Sequence, residues 1–536
     1  MSSSLCIIYH RQPYEERVEN GRVTYHENKS PNGIVPTLKS FFAHVDKGQW
    51  VAWKQLPKSK VDQANFERRV RFSDSHGSYD VVRLGLSADE VKSFYHVTSK
   101  EAFWPILHSF PWQANFSNVD WETFVDVNRK FAEAACEQAD DDTLFWVHDY
   151  NLWLVPGFIR KMKPNARIAF FHHTPFPSSD VFNILPWRDD IIDSLLACDV
   201  VGFHIARYAQ NFVATARSLR DVDVTERTQT SHALSPVGNA LSEDEVVTCV
   251  RHQGRDVRID AMPVGTNPAL IRELLATDKS RALQKEIRER LDGQRLIVSV
   301  GRVDYTKGTR EMLESYERLL ERRPDLHGQV KLLVTSVSAA RGMTIYKNAR
   351  RSIEQLVGRI NGRFSRLNWS PILLFTTAVP FDELLAYYRE ADICWTTPLR
   401  DGLNLVAKEF VAAHQDRGGV LVLSEFTGVA VELDSAVMCN PYHDQDMDAA
   451  IERALDMSHA EQQVRMRRMT NAIETYDIEH WAEHCAQQFA KVGVDAAITV
   501  DDGRSVVDDD DAVDVTPDDN MTTLLRPYVV QEDAVA

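Results

Sequence analysis

Residues 398–409 read Pro398-Leu399-Arg400-Asp401-Gly402-Leu403-Asn404-Leu405-Val406-Ala407-Lys408-Glu409, a polar loop that runs into a helical pattern. The preceding residues 391–397 are apolar and β-branched, which indicates a buried strand. A strand, a tight turn at Gly402 and a helix that begins near Leu405 place free backbone N–H groups and a positive dipole end above the strand. Such a place binds anions, and Glu409, one turn into the helix, is placed to reach ribose hydroxyls. Because most α/β proteins contain a similar turn, this stretch alone also fits an ordinary helix start.

A second cluster of charge strengthens the prediction of an anion site. A strand candidate at 294–300 is followed by Gly301-Arg302-Val303-Asp304-Tyr305-Thr306-Lys307-Gly308. Arg302 and Lys307 therefore lie at the carboxyl edge of a strand, where open parallel sheets bind ligands. Two cations on one loop repel each other unless an anion lies between them, and a diphosphate satisfies both. The alternative is that both are solvated surface cations paired with Asp304.

Length, charge and cysteine usage limit the class of protein. A chain of 536 residues with 44% hydrophobic content can bury more than one core, so two domains are expected. The formal net charge is −17, and residues 501–536 contribute eleven acidic residues against two arginines. The remainder is only mildly acidic, which argues against nucleic-acid binding. Seven scattered cysteines and the lack of a signal-peptide or membrane-span pattern predict a cytoplasmic protein.

Strand candidates alternate with helical patterns from Leu5 to about Gly265, which predicts a doubly wound parallel sheet. Gly33 precedes a helical pattern, so the N–H groups there form a second candidate phosphate cradle or an ordinary helix start. A strand at 143–150 carries Asp149 at its carboxyl edge, and the next ends in His172-His173. Adjacent side chains on a strand point to opposite faces, so at most one of these histidines faces a given ligand. The Ser/Thr-rich residues 222–256 predict an exposed insertion, with a hairpin as one form of it.

The second half repeats the α/β alternation, with predicted strands near Arg295, Val330, Pro371, Asp392 and Val420. Residues 457–492 have a helical pattern whose end is expected to pack back on the first domain. Beyond Ala497 the acidic, low-complexity tail predicts disorder. The predicted domains are 1–265, 266–475, a returning helix at 476–497 and a tail at 498–536.

Four motifs in the same order resemble the trehalose-6-phosphate synthase family of glycosyltransferases. They are Trp146-Val147-His148-Asp149-Tyr150, residues 170–177, residues 301–308 and residues 398–409. The resemblance runs from about Leu5 to about Val492 and implies two Rossmann-like domains facing a cleft, the GT-B architecture. Residues 9–16 and 30–42 are most similar to the branch that makes an osmolyte precursor from ADP-glucose and glycerol 3-phosphate. One departure, Asn32-Gly33 in place of Gly-Gly, leaves the acceptor and the nucleotide open.

The resemblance also implies roles for individual residues. Arg302 and Lys307 would hold the donor diphosphate, Glu409 the ribose, and Gly33 would border the donor. The glucose hydroxyls would be held by His173 and Asp401 and by the backbone of Gly402, Leu403, Asn404, Leu405 and Val406. The acceptor phosphate would be gripped by Arg11 and Arg341, in a pocket shaped by Tyr95, Trp104 and Asp149. Aromatic residues such as these are also common in domain cores.

The family retains the anomeric configuration, which ordinarily suggests a carboxylate nucleophile paired with a second carboxylate. Asp149 and Asp401 are the nearest candidates, and both suit the binding of hydroxyl groups better. We therefore expect front-face substitution, in which the leaving diphosphate takes the acceptor proton while Arg302, Lys307, His173 and Asp149 form the catalytic set. No metal or other cofactor is expected, because two cations and a helix terminus already stabilise the leaving group.

Two other functions fit parts of the sequence. Trehalose-6-phosphate synthesis from a nucleotide-glucose and glucose 6-phosphate is the nearest alternative. An inactive regulatory protein that binds a sugar nucleotide is the alternative of another class, although such proteins commonly lose a phosphate-binding cation. Phosphorolysis of a glucan would need a pyridoxal-bearing lysine, for which no motif is found. The partners expected are small molecules, and whether the chain forms a homo-oligomer is left open.

Overall fold

The computed structural model describes residues 4–19, 22–27, 34–58, 66–338, 343–414 and 417–493. The predicted tail at 498–536 lies outside these ranges. The strands within them are β1 (Ser4–Ile8), β2 (Tyr14–Glu19), β3 (Arg22–Glu27), β4 (Lys47–Gln55), β5 (Arg69–Asp74), β6 (Gly77–Leu86), β7 (Leu144–His148), β8 (Arg167–His172), β9 (Val200–Phe203), β10 (Asp223–Gln229), β11 (Glu245–His252), β12 (Arg255–Ala261), β13 (Arg295–Val303), β14 (Val330–Ser338), β15 (Ile372–Phe375), β16 (Ile393–Thr396), β17 (Val420–Ser424) and β18 (Val437–Cys439).

The α-helices pack around these strands or cap them. They are α1 (Ile34–Ser40), α2 (Ala88–Val91), α3 (Trp104–Leu107), α4 (Trp121–Cys136), α5 (Val155–Met162), α6 (Ser179–Phe182), α7 (Arg188–Leu195), α8 (Ala206–Leu219), α9 (Pro268–Leu275), α10 (Asp278–Leu291), α11 (Thr309–Arg322), α12 (Thr344–Phe364), α13 (Phe381–Glu390), α14 (Leu405–His414), α15 (Asp444–Asp456), α16 (His459–Thr475) and α17 (Ile478–Lys491). Residues Lys92–Phe103 are wound as a π-helix between α2 and α3.

The first sheet has the strand order β10-β11-β12-β9-β8-β7-β1-β4-β6-β5 in the described part of the chain. The strands from β12 to β6 in this order pair in parallel, for example β1 with both β4 and β7. Successive residues of β1 face two different cores, with Cys6 and Ile8 in one and Leu5 and Ile7 in the other. This alternation is what a sheet covered on both faces requires, and it confirms the predicted doubly wound fold.

The first sheet has antiparallel pairs at both of its edges, which the sequence did not predict in full. β5 pairs antiparallel with β6, and the predicted insertion at 222–256 forms β10 and β11, which extend the sheet antiparallel from β12. The turn between β11 and β12 has positive φ at Gln253 (50°) and Gly254 (78°), as a two-residue hairpin turn of matching twist requires. Most of β10 is exposed, so its sequence has none of the apolar alternation that reveals a strand.

The second sheet has the order β15-β14-β13-β16-β17-β18 within the described residues, and its strand pairs are parallel. Residues of β13 alternate between two cores, with Leu296 and Val298 on one face and Ile297 on the other. Each predicted strand of the second half has a counterpart in this sheet. The molecule therefore has two doubly wound α/β halves, as predicted.

The chain passes between the two halves at two places that touch each other. The first passage follows β12 and leads into α9, and the second separates α16 from α17. Ile478 N donates a hydrogen bond to Thr266 O at 2.9 Å. A Cβ atom on Gly265 would lie 2.0 Å from the carbonyl carbon of Asp477, so only glycine allows the two passages to meet this closely.

The helix after the second passage, α17, packs against residues of the first half. Its Trp481 is fully buried, and its ring centroid lies 5.7 Å from that of Trp146 on β7 and 5.5 Å from that of Phe171 on β8. The domain boundaries at 265 and 475 stay predictions. Across the described ranges, no helix has the length and apolar character needed to cross a membrane.

Candidate active site

A cavity of about 580 Å³ lies between the two halves and is lined by residues of both. Its lining residues follow the carboxyl ends of strands: Tyr9 to Gln12 after β1, Asp149 to Asn151 after β7, His173 to Pro175 after β8, and Thr396 to Pro398 around the end of β16. Open parallel sheets bind ligands at this edge, outside the carboxyl ends of the strands. Here two such edges face one another, so a ligand between them can contact both halves at once.

The loop at 398–404 is held in place by its own side chains. Asp401 Oδ1 accepts a hydrogen bond from Gly402 N at 3.0 Å, and Asp401 Oδ2 accepts one from Asn404 Nδ2 at 3.1 Å. Asn404 has a φ of 92° and caps α14 by accepting from Ala407 N at 3.1 Å. The helix begins at Leu405, as predicted, and residues Asp401 to Val406 all line the cavity. The amino end of α14 therefore faces the cavity with its N–H groups.

Gly402 is where this loop meets the first half most closely. A Cβ atom there would lie 2.4 Å from the carbonyl oxygen of His173. The hydroxyl of Tyr208 on α8 donates to Asp401 O at 2.9 Å, a second direct link between the halves. Glycine at 402 thus lets the loop rest directly on the end of β8.

Lys307 is paired across the cavity wall with Asp401. Its Nζ lies 2.6 Å from Asp401 Oδ2, with side-chain exposures of 19% and 15%. Burial raises the pKa of Asp401, but attraction and a hydrogen bond from Lys307, together with the bond from Asn404, outweigh burial and hold this pKa below 3.8. Asp401 is therefore ionised at neutral pH. The Lys307 ammonium is fixed at the cavity edge and keeps hydrogen-bond donors for a ligand.

Asp304 does not form ion pairs with Arg302 and Lys307, as the alternative of two solvated surface cations would require. It is buried, and its Oδ1 accepts from Thr306 N and Thr306 Oγ1, both at 3.1 Å, and from Trp104 Nε1 at 3.4 Å. The carboxylate therefore shapes the 302–308 loop and ties it to α3 of the first half. Lys307 pairs with Asp401 instead.

Arg302 extends into the cavity from the end of β13. The side chain is exposed, and among the described residues no hydrogen bond or ion pair engages its guanidinium. Arg302 and Lys307 line the same cavity, as the diphosphate hypothesis requires. An unpaired guanidinium with fork geometry suits two phosphate oxygens.

The first half contributes Arg11, Tyr95, Trp104, Asp149 and His173 to the lining. Arg11 is exposed to the cavity and donates from Nε to His10 Nε2 at 3.3 Å. The backbone of Asp149 has φ 72° and ψ 161°, a region that is nearly exclusive to glycine and strained for other residues. Strained backbone of this kind clusters at functional sites, so the conformation of Asp149 supports a functional role for this residue.

Two groups that line the cavity, Asp149 and His173, have strongly shifted pKa values. Burial raises the pKa of Asp149 to about 6, against a hydrogen bond from Tyr150 N and attraction by Lys100. Burial and the neighbouring His148 lower the pKa of His173 far below 6.5, and His173 Nε2 lies 3.2 Å from His148 Nδ1. His173 is therefore neutral at pH 7 and suited to hydrogen bonding with a hydroxyl group. His172 is buried on the other side and contacts Thr174 at 2.9 Å, so the prediction that one histidine at most faces the ligand agrees with the geometry.

Glu409 lies one turn into α14, and its side chain lines the cavity although the residue is only 3% exposed. Burial raises the pKa of Glu409 from 4.5 to about 8, against a neighbouring hydroxyl from Tyr388. Its Oε2 has no hydrogen-bond partner among the described residues. A buried carboxyl group with an unused oxygen at a cavity wall is ready to accept from a hydroxyl group of a ligand.

Glu409→Gln is expected to raise the melting temperature at pH 8 by several degrees and to change it little at pH 5. A carboxyl group whose folded pKa lies above its unfolded value is stabilising below the unfolded value of 4.5, and this contribution is lost as the pH rises toward 8. Glutamine stays neutral throughout and avoids that loss. Thermal unfolding of both proteins at the two pH values measures the difference, with the exposed Glu289→Gln as a control. An equal effect at both pH values would contradict this account.

Sequence reasoning missed one charged residue of this cavity, Lys100. It lies on the π-helix, lines the cavity, and is half-buried. Two predicted residues, Gly33 and Arg341, lie outside the described residues. Within those residues, no group of three or more His, Cys, Asp or Glu side chains is arranged to bind a metal ion.

Comparison with known proteins gives consistent results. The chain matches the model of glycosyltransferase family 20 over residues 3–491. It is similar to a glucosylglycerol-phosphate synthase from Synechocystis sp., at 57% identity over 489 residues covering 91% of this chain and 97% of that protein. Among solved structures, it is similar to an alpha,alpha-trehalose-phosphate synthase (UDP-forming) from Burkholderia xenovorans in complex with glucose-6-phosphate, with a TM-score of 0.78, 28% identity, and coverage of 91% and 100%. A structure from E. coli bound with UDP-2-fluoro glucose gives a TM-score of 0.76 at 29% identity, with coverage of 91% and 99%.

Proposed function

This chain belongs to glycosyltransferase family 20, and from its similarity to a glucosylglycerol-phosphate synthase we propose that it transfers glucose from ADP-glucose to glycerol 3-phosphate. The product is a glucosylglycerol phosphate, the precursor of an osmolyte that protects cells against salt stress. We further propose that the reaction retains the anomeric configuration and takes place in the cytoplasm.

The family and the fold establish the class of enzyme. The chain is a hexosyltransferase of GT-B architecture, with two facing Rossmann-like halves and a cavity between them. The choice of acceptor rests on one observation. Sequence identity to a glucosylglycerol-phosphate synthase is about twice the identity to the trehalose-phosphate synthase structure, over nearly the same length.

The donor end of the cavity is proposed to lie at the second half. Arg302 and the Lys307 ammonium would hold the diphosphate, together with N–H groups at the start of α14. Glu409 would accept hydrogen bonds from the ribose, and its unpartnered Oε2 supports that role. Asp401 and His173 would orient the glucose hydroxyls, because both sit at the point where the loop at 398–404 rests on β8.

The charges of the cavity support front-face substitution. Both carboxylate oxygens of Asp401 already accept hydrogen bonds from Gly402, Asn404 and Lys307, so this group is poorly suited to attack the sugar. In the proposed step, the bond from C1 of glucose to the diphosphate oxygen breaks while the acceptor hydroxyl bonds to C1 on the same face. The acceptor proton passes to the departing diphosphate, whose growing negative charge Arg302 and Lys307 stabilise. Asp149 would position the acceptor hydroxyl.

The acceptor end is proposed to lie at the first half. Arg11 extends from the end of β1 into the cavity, and Tyr95 and Trp104 border it. Arg341 is proposed to join Arg11 at the acceptor phosphate. Because Arg11 belongs to the first half and Arg341 to the predicted domain at 266–475, the acceptor phosphate would be held from both sides of the cleft.

A matrix of donors and acceptors tests this function. We expect ADP-glucose with glycerol 3-phosphate to give the highest kcat/KM among ADP-, UDP- and GDP-glucose offered with glycerol 3-phosphate or glucose 6-phosphate. Released nucleotide gives the rate, mass spectrometry identifies the product, and NMR of the anomeric proton reports its configuration. Preference for glucose 6-phosphate would establish trehalose-6-phosphate synthesis instead. Nucleotide-sugar binding without turnover on either acceptor would identify the inactive regulatory protein.

A further inference from the structure

Lys100 occupies an unusual position for an ammonium group. Its Nζ lies 3.7 Å from the ring centroid of Trp104 and 5.8 Å from those of Tyr95 and Tyr150, all of which line the cavity. No hydrogen bond or ion pair to Nζ occurs among the described residues, and Lys100 itself lines the cavity. Aromatic faces attract a cation but do not neutralise it, so the charge remains available to an anion.

Two cations and two acids are the charged groups nearest to Lys100. Arg302 faces it from β13 and Arg11 from the end of β1, while Asp149 and Asp304 are the nearest acids. Asp304 is already bonded to Thr306 and Trp104, and Asp149 to Tyr150 N. The other titratable neighbours are His10, which burial keeps neutral at pH 7, and the two tyrosines. Burial and repulsion by Arg302 lower the pKa of Lys100 to about 7.

The π-helix is what turns this side chain toward the cavity. The peptide N–H of Trp104 donates to Ser99 O, five residues back, as π-type winding requires. Residues five apart, such as Tyr95 and Lys100, therefore share a face, whereas in an α-helix they would lie about 140° apart. Stretches of π-helix are rare and are frequently found at functional sites.

The cations of the cavity form two groups. Lys307, fixed by Asp401 near the start of α14, and Arg302, at the end of β13, come from the second half, on the side proposed for the donor diphosphate. Arg11 and Lys100 come from the first half, where the donor needs no further cation. We propose that Lys100, which lies among Trp104, Tyr95 and Tyr150, binds the phosphate of the acceptor and so selects a short phosphorylated alcohol over a neutral one. This inference rests on the function proposed above.

Lys100→Met tests the contact, because methionine keeps the unbranched apolar chain and removes the charge. The KM for glycerol 3-phosphate is expected to rise about 10- to 100-fold, the usual range for a lost charge-assisted hydrogen bond. The ratio of kcat/KM for glycerol 3-phosphate to that for glycerol should fall by a similar factor. The Kd for ADP should change less than the KM for glycerol 3-phosphate, because Arg302, Lys307 and the start of α14 are proposed to hold the donor diphosphate. Lys92→Met, an exposed lysine on the same helix, is the matched control.

Lys100→Arg provides a second, independent readout. In the wild type, the acceptor phosphate must recharge a lysine that is partly neutral above pH 7, so 1/KM should fall by up to about tenfold per pH unit between pH 7.5 and 9. Arginine stays charged throughout this range, so the variant should keep its acceptor affinity and lose this slope. Asp149 and Glu409 are present in both proteins, and saturating donor is used, so the difference between the two profiles isolates Lys100.

The outcomes separate this inference from the function it rests on. A wild-type enzyme that does not glucosylate glycerol 3-phosphate refutes the proposed function, whatever the variants do. An active wild type whose Lys100→Met form keeps its KM and its preference over glycerol refutes the role of Lys100. A fall in melting temperature with unchanged acceptor preference likewise overturns it, because that result describes a purely structural cation.

Discussion

Lys307→Ala is expected to lower kcat by about two to three orders of magnitude, equivalent to roughly 3–4 kcal/mol of activation free energy. The reason is that the negative charge on the leaving diphosphate grows in the transition state, where a fixed ammonium stabilises it more than in the ground state. The 2.6 Å pair with Asp401 positions that ammonium before substrate arrives. Single-turnover rates with saturating ADP-glucose and acceptor measure the effect on the chemical step.

The same variant also frees Asp401, whose charge would then repel the diphosphate. Lys307→Ala combined with Asp401→Asn, compared with both single variants, separates the two causes. If lost contact with the diphosphate is responsible, the double variant stays as slow as the single one; if repulsion is responsible, it recovers. Lys285→Ala, an exposed lysine whose side chain is 73% accessible, is the control. A Lys307→Ala rate within threefold of wild type would contradict the assignment.

Lys408→Met is expected to lower the free energy of unfolding by about 3–5 kcal/mol, the usual result of removing one member of a buried ion pair. Lys408 Nζ lies 2.7 Å from Glu432 Oε1, and the side chains are 0% and 1% exposed. Lys408 also donates to Val264 O at 2.9 Å, next to the first passage between the halves. The substitution leaves a buried carboxylate without its cation and a carbonyl oxygen without its donor. Thermal and denaturant unfolding midpoints measure the loss.

Glu432→Leu in the same chain distinguishes a charge effect from a packing effect. Removing both charged groups eliminates the unpaired carboxylate, so most of the lost stability should return in the double variant. Lys331→Met, at a half-buried position near the start of β14, provides a control for the same chemical change. Unfolding of Lys408→Met at the wild-type midpoint would mean that the pair contributes nothing.

Local sequence signals were sufficient to predict the strands and the helix that position the site. The start of α14 follows from Gly402, Asn404 and the apolar pattern after them, because turn chemistry and helix capping act over a few residues. The strands before Asp149, His173 and Arg302 are buried and apolar, so their carboxyl ends could be predicted as well. The roles of the individual site residues stay predictions.

Contacts between segments that lie far apart in the sequence could not be predicted from local sequence signals. The pairing of Lys307 with Asp401 joins positions 94 residues apart, and the sequence offered Asp304 as a nearer partner. β10 is mostly exposed, and β18 has three residues, so neither produces a recognisable pattern. Lys100 belongs to no recognisable motif, and its place beside Tyr95 and Trp104 depends on π-type winding, which changes the residues that share a face.

The paired passages at Gly265 and Asp477 determine how the cleft can open. Because both connections between the halves meet at this point, we expect the halves to move by hinge rotation about it and not by sliding past each other. A substituent at Gly265 would wedge that pivot, 2.0 Å from the opposing backbone. Closure over a nucleotide sugar would then be a rigid-body rotation of one half against the other. In such a rotation, a small change of backbone angle at the hinge moves the distant substrate-binding residues by a larger distance.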